Sequence, residues 1–302
     1  MITEEFDLKK YVNILCKPIN GNSNDTWEIS FKEAIEYKNK TLKNKKIYKF
    51  LPLQNTMNCN ESNICEYYKK VNNRNIDNIK NNTIWLSKFD NLNDPFEMDK
   101  IYISEPENKE YNYSYKTMNY LFNKLKQSIV LTCFTTDIEM NLPMWAHYAN
   151  NHKGFCIEYQ IIDPEKLFPV VYDDYKIKIN NRFTDFLSLC AKLDENVHEL
   201  SYLNSITNLI IQSFAYKNTI WEYEKEIRLF NCIDDILNLE KGKLFKLCDL
   251  GIEITGIYLG IDFIEFYKKT MVDICEKNDI NLYMMYIDKD SNKPYLKYKK
   301  LN

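Results

Sequence analysis

The stretch from Ser128 to Ile161 constrains the fold most, because two strand-like runs enclose a short helical one. Ser128 to Phe134 (SIVLTCF) is short, apolar and β-branched, which reads as a buried strand. Asn141 follows as a helix cap, and Pro143 suits a first turn, where its missing N–H costs nothing. Met144, Trp145, His147 and Tyr148 then share a short helix that Asn150, Asn151 and Gly154 stop. Phe155 to Ile161 is the next strand. His147 and His152 sit at the two ends of the turn region. An aromatic-rich helix of this kind ordinarily supplies core, and a lone histidine is more often a hydrogen-bonded structural residue than an acid or base. Against that, His147 and Tyr148 are candidate catalytic groups and Trp145 a candidate ligand contact. The two histidines do not share a helical face and have no third ligand at a familiar spacing, so no metal is expected.

A chain of 302 residues with 45% hydrophobic content can bury the core of one large domain. The 43 acidic against 40 basic side chains leave a net charge of -3, which argues against a broad basic surface for nucleic-acid backbone but leaves a local groove open. Nine cysteines are scattered without a Cys-x-x-Cys pair, as expected of reduced thiols in a cytoplasmic protein. Cys133, Cys156, Cys232 and Cys248 lie in apolar runs and are expected as small core residues. Met1 to Lys10 is polar, with no signal peptide, and no apolar run is long enough to span a bilayer, so no membrane partner is expected. No obligate partner can be inferred.

Taken in order, residues 1–46 read as an N-terminal extension with a helix over Phe31 to Lys45, whose Phe31, Ala34, Ile35 and Leu42 share one face. Ile47 to Phe50 is a strand. Gln54 to Asn82 is rich in Asn and Lys, a solvated connection with one helix around Ile64 to Val71. Thr83 to Phe89 is a strand running into Asn93-Asp94-Pro95, where Asn and Asp side chains bond nearby backbone N–H groups and Pro fixes the following turn. Lys100 to Ser104 is a strand and Tyr113 to Lys126 an amphipathic helix. Leu167 to Tyr172 is a strand, and about 180–216 is an inserted helical segment carrying His198. Ile252 to Leu259, a helix over Phe263 to Lys277 capped by Asp262 and burying Phe266, Met271 and Ile274, and the strand Asn281 to Asp288 form a C-terminal β-α-β unit. The turn Gly260 to Asp262 opens that helix and could hold an anion. Tyr295 to Lys299 closes a sheet edge. The expected class is α+β: a mixed, mainly antiparallel sheet with a central cleft, residues 47–302 forming one domain.

The second informative stretch is Lys217 to Phe230 (KNTIWEYEKEIRLF). If Trp221 to Phe230 is a strand, alternation puts Glu222, Glu224, Glu226 and Arg228 on one face. Such a face is either a solvent-exposed edge carrying weak ion pairs or the wall of a polar cleft.

These motifs together resemble a bacterial family catalogued as domain of unknown function 2971. They are Tyr48-Lys49-Phe50; Leu86-Ser87 with Leu92-Asn93-Asp94-Pro95-Phe96-Glu97; Cys133-Phe134-Thr135; Met144 to Tyr148 with Gly154-Phe155; and Trp221 to Arg228. Leu92 stands where the family has Phe. The pattern is also similar to that of ADP-ribosyltransferases, which set a polar residue on an early strand, a Ser, Thr or Tyr on a second and a catalytic glutamate on a late strand around NAD. The resemblance implies Lys49 in the first role, Thr135 or Tyr148 in the second and Glu224 or Glu226 in the third, with Asn93, Asp94, Trp145 and Arg228 as further binding residues. Lys49 departs from the usual His or Arg. NAD is then the implied cofactor, a nucleotide the implied ligand and a nucleic acid or protein the implied acceptor, in an enzyme of toxin or phage-defence type.

Two other readings compete with this one. A non-enzymatic ligand-sensing or interaction module would use the Asn93-Asp94-Pro95 turn and Trp145 structurally. A metal-dependent nuclease or phosphodiesterase would bring Asp94, Glu97, Glu224 and Glu226 together around Mg²⁺ with His147 as acid or base.

Overall fold

The computed structural model describes residues 5–15, 27–56, 62–94, 96, 101–103, 112–175, 177–179, 211–233, 241–289 and 296–301. Its helices are α1 (Leu8–Leu15), α2 (Trp27–Leu42), α3 (Ser62–Lys80), α4 (Asn112–Ser128), α5 (Leu142–Tyr148) and α6 (Lys268–Asn278). Its strands are β1 (Lys46–Leu51), β2 (Thr83–Ser87), β3 (Ile101–Ile103), β4 (Ile129–Thr135), β5 (Phe155–Ile161), β6 (Leu167–Pro169) and β7 (Val171–Tyr172), then β8 (Ile177–Ile179), β9 (Tyr216–Lys217), β10 (Glu226–Cys232), β11 (Gly242–Lys246), β12 (Ile252–Leu259), β13 (Asn281–Ile287) and β14 (Leu296–Lys300). Residues 180–210, with most of the expected helical insertion and His198, lie outside the described residues, as do Pro95, Glu97 and Asp99.

The architecture is α+β. One ten-stranded sheet runs β11-β2-β4-β1-β5-β12-β13-β14, with β10 on β4 and β6 on β10. Its pairings are antiparallel except β12 with β13, which α6 joins as the expected β-α-β unit. Strand β5 is buried at six of seven positions because both its faces are covered, which is why it reads as a continuous apolar run. The principal core gathers Ile47, Ile84, Val130, Ile157, Leu229, Ile257 and Leu282 from seven strands of the sheet, with Met271 and Ile274 of α6. A 3-10 turn over Glu265–Tyr267 precedes α6, so Asp262 does not cap it, the Gly260 turn does not open it, and Phe266 is exposed rather than buried.

One feature of the sheet creates the cleft. Strand β4 pairs with β10 at seven positions on one side. On the other side it meets β1 only at Tyr48–Thr135 and β2 only at Ser87–Leu131. Between those two contacts the sheet parts, and backbone groups of Thr132 to Phe134 face an opening between β1 and β2. The helix over the opening, α3, is longer than its polar composition suggests. Ile76 and Ile79 anchor it in the core, while buried Asn72 holds both backbone groups of Gln54 and buried Asn75 donates to the Pro52 carbonyl at 3.0 Å. Those bonds satisfy the chain leaving β1, which would otherwise leave buried backbone groups without partners.

The described N-terminal helices α1 and α2 pack onto this body. Leu42 of α2 joins the principal core, and Tyr11 of α1 hydrogen-bonds Gln212. Lys38 is completely buried, its amine donating to the carbonyls of Pro164 and Leu167 at 2.7 Å each and lying 4.5 Å from the Phe168 ring. Burial pushes its pKa from 10.5 down to about 7, against the pull of Glu165 and Asp163. The folded state therefore binds fewer protons than the unfolded one between those values, and stability rises with pH across that window by up to about 1.4 kcal/mol per unit. Urea unfolding of wild type and Lys38→Met at pH 7 and pH 9 checks this: the wild type should gain about 1–3 kcal/mol relative to the variant. A difference that stays flat with pH would show an ordinary, charged lysine.

Six of the nine cysteines lie among the described residues. Cys156 is buried as expected, whereas Cys232, ending β10, and Cys248, in a surface turn, are exposed. Among the described residues no helix is long and apolar enough to cross a membrane.

Candidate functional site

Helix α5 distributes its residues over three faces, as a 3.6-residue period requires. Trp145 and Ala149, four apart, point inward and are fully buried. Pro143 and His147 point to solvent. Met144 and Tyr148 line the cleft. The expectation for this helix therefore divides. Tyr148 is a cleft residue, but His147 is exposed and outside it, and Trp145 is core: its Nε1 donates to the Ile138 carbonyl at 2.9 Å and its ring meets Phe50 edge-on. Asn141 precedes α5 but does not cap it, donating instead to the Tyr223 carbonyl at 2.6 Å. Beyond the helix, Asn150, Asn151 and His152 all take positive φ, and His152 stacks on Trp145. Gly154 is required there because a Cβ would overlap the Leu51 carbonyl.

The acidic stretch departs from its expected form. Thr219–Glu224 is a 3-10 helix capped by Asn218, whose side chain accepts from the Ile220 N–H at 3.1 Å. Lys225 then takes a left-handed conformation at φ 45°, and its amine pairs with Asp137 at 2.8 Å. Only Glu226 and Arg228 share a strand face. Glu222 is exposed, while Glu224, Glu226 and Arg228 are buried. The helical turn swings Glu224 in from above, so the two glutamates meet by a route that alternation does not describe.

They meet at Lys217, on β9. Its amine lies 2.7 Å from Glu224 Oε2 and 3.2 Å from Glu226 Oε2, and 4.7 Å from the Trp221 ring centroid. Tyr148 donates its hydroxyl proton to Glu224 Oε1 at 2.7 Å. Arg228 donates through Nε to Glu226 Oε1 at 2.7 Å and through a terminal nitrogen to the Phe214 carbonyl at 2.9 Å. Two cations and two carboxylates thus form a continuous buried network, the condition under which buried charge is tolerable. Burial acts to raise the Glu226 pKa, but Arg228 and Lys217 outweigh it and hold the carboxyl below its usual range. Tyr148 is raised, first by burial and then by the Glu224 charge. The Tyr172 hydroxyl accepts from the Glu226 N–H at 2.8 Å. Lys217 is a site residue that the linear reading missed.

The cleft beside this network encloses about 290 Å³, at the lower end of ligand-pocket sizes. Lys49 and Thr135 line it, as do Tyr148, Glu224 and Glu226. Lys49 donates to the Cys133 carbonyl at 3.3 Å, one of the groups exposed where the sheet parts. Burial lowers its pKa. Thr135 accepts from the Asp137 N–H, so its hydroxyl also shapes the β4 exit. Asn93 lines the cleft and its side chain hydrogen-bonds Tyr148. Asp94 does not line it; its carboxylate accepts from the Phe96 N–H at 2.9 Å, which is turn chemistry. Arg228 stays behind the cleft, holding Glu226. Of the carboxylates in the metal reading, Glu97 lies outside the described residues, and among those described no three His, Cys, Asp or Glu side chains come within metal-binding reach.

Residues 144–229 match a family model described as a protein of unknown function (DUF2971). The match runs from α5 into β10 and so contains Tyr148, Lys217, Glu224, Glu226 and Arg228. No curated protein and no solved structure matches the chain.

Proposed function

We propose that the cleft binds a nucleotide and that the protein is an NAD-using enzyme similar to ADP-ribosyltransferases, with Glu224 as its catalytic carboxylate. The observation that supports this is the position of Glu224: of the two carboxylates that line the cleft, it is the one that accepts from the cleft-facing Tyr148 hydroxyl, and it is paired with Lys217. In such a reaction the bond between ribose C1′ and the nicotinamide nitrogen breaks and its electron pair leaves on nicotinamide. Positive charge develops on the ribose, and a fixed carboxylate beside it stabilises that charge and orients a ribose hydroxyl. The acceptor nucleophile, water or a group on a nucleic acid or protein, closes on C1′ and gives up its proton. A ribose hydroxyl would replace the Tyr148 hydroxyl on Glu224 Oε1. Glu226 and Arg228 position Lys217, and Lys217 positions Glu224. The enclosed volume suits a mononucleotide portion, so the remainder of NAD would lie along the open mouth.

The test is nicotinamide release from NAD by the whole protein, with and without nucleic-acid and protein acceptors. Glu224→Gln should lower the rate by about 10²–10³-fold, the usual effect of deleting one preorganised electrostatic partner. No release by wild type, together with no NAD-dependent rise in Tm, would sink the reading. A second reading, a non-enzymatic ligand sensor, is favoured by the fact that every oxygen of both glutamates already has an internal donor. It predicts a rise in Tm with NAD but no turnover.

A further inference from the structure

The wall of the cleft opposite the glutamates carries charge of the other sign. Arg74 and Asn78, four apart on α3, fall on one helical face and both line the opening. Lys49 lines it from β1. Among the described residues neither Lys49 nor Arg74 has a carboxylate within ion-pair distance, whereas Lys217 has two. The charged lining among the described residues is thus Lys49, Arg74 and Lys217 against Glu224 and Glu226, three positive to two negative. The two negatives are spent on Lys217, with Arg228 behind Glu226. Among the described residues two like charges are left facing one small cavity, an arrangement that is unfavourable until an anion enters it. Asn78 accepts from the Thr83 hydroxyl through Oδ1, which leaves its amide N–H groups as further donors on the same side.

We infer that Lys49, Arg74 and Asn78 form a phosphate subsite, so that the cleft selects phosphorylated ligands over the corresponding neutral nucleosides. A planar guanidinium offers paired donors to phosphate oxygens, an ammonium adds a point charge, and the amide completes the donor set. Lys49 donates to the Cys133 carbonyl with one proton and keeps two for the ligand. The opposite wall would then receive the sugar hydroxyls at Glu224 and Tyr148. The subsite rests on the nucleotide reading for the orientation of the ligand, but not on any reaction with it.

Calorimetric titration of the full chain with AMP, inorganic pyrophosphate and adenosine tests the inference. AMP should bind at least about tenfold more tightly than adenosine, since one charge-assisted contact or more separates them. Arg74→Ala should weaken AMP by a similar factor and leave adenosine unchanged. Arg74 is exposed, so its substitution should keep the wild-type Tm. Lys49→Met, which retains the aliphatic stem, should weaken AMP as well. Pyrophosphate binding that depends on Arg74 would show that phosphate alone suffices; AMP binding without pyrophosphate binding would require the nucleoside too, and both support the subsite. Equal affinities for AMP and adenosine, no effect of Arg74→Ala, or no binding by any of the three would overturn it. Arg74-dependent AMP binding without nicotinamide release from NAD would retain the subsite and remove the transferase reading. Nicotinamide release insensitive to Arg74→Ala would do the reverse.

Discussion

Arg228→Met is expected to cost about 3–5 kcal/mol of folding stability, more than a core methylene change would, because it strands a buried carboxylate. Arg228 is fully buried and Glu226 nearly so. The guanidinium supplies the contact at 2.7 Å to Glu226 Oε1, where Lys217 does not reach, and also covers the Phe214 carbonyl. Methionine fills much of the volume but offers no donor, so the loss is electrostatic rather than a cavity. Urea denaturation of the single variant and of Glu226→Gln/Arg228→Met separates the two. The double variant should recover a large part of the loss, since the stranded charge is gone. The pH dependence has a definite sign. Glu226 is depressed in the fold, so its contribution is present above the unfolded carboxylate pKa and is lost as pH falls toward the folded one. The gap between wild type and Arg228→Met should therefore be widest near neutral pH and narrow in acid. A loss under about 1 kcal/mol at pH 7, with no narrowing in acid, would mean that the network relaxes or hydrates easily.

Strand-level features were legible where burial is two-sided. Phe155 to Ile161 and Ile252 to Leu259 agree with the structure residue for residue: the first is an apolar run covered on both faces, and the second is continuously buried from Gly256 to Leu259, beyond an irregularity in its pairing between Ile254 and Gly256. The glutamate stretch was misread because Glu-Tyr-Glu-Lys-Glu-Ile-Arg alternates by accident of composition across a helix–strand junction. Asn218 as a cap and Glu222 in the first turn were the local signals of a helix, and an extended period overrode them. A central cleft was expected, but its place between β1 and β2 could not be read from the chain. It exists because β1 and β2 each touch β4 at one pair and then diverge, a relation among three strands far apart in sequence. Lys217 opens the informative acidic stretch but was given no role there, and Arg74 lies in no recognisable motif; each joins the cleft only through tertiary structure, from β9 and α3. His147 shows the converse. It sits inside the most conspicuous motif in the sequence and faces solvent, because its position on α5 matches Pro143 rather than Tyr148.

Trp145→Ala should cost about 3–5 kcal/mol, the range for emptying a buried aromatic site. The indole has no exposed surface, packs edge-on against Phe50 with centroids 4.9 Å apart and lies parallel to the His152 ring at 6.1 Å. Its neighbours come from β1, β5, β12 and β13, all held by sheet pairing, so they cannot close over the void. Trp145→Phe separates packing from hydrogen bonding: it keeps an aromatic ring but strands the Ile138 carbonyl, with an expected loss of about 1–3 kcal/mol. The consequence for the cleft follows from helix geometry. α5 has only seven residues, too few to hold its shape without tertiary contacts, and Tyr148 lies one turn beyond Trp145. Loosening the tryptophan should therefore release the Tyr148 hydroxyl from Glu224 although no cleft atom has been removed. Nucleotide titration of Trp145→Phe, at a temperature where it remains folded, and of Tyr148→Phe reads this directly: the two affinities should shift in the same direction and by a similar factor. If Trp145→Phe is destabilised yet binds nucleotide as wild type does, α5 is positioned by its turns rather than by its core residue.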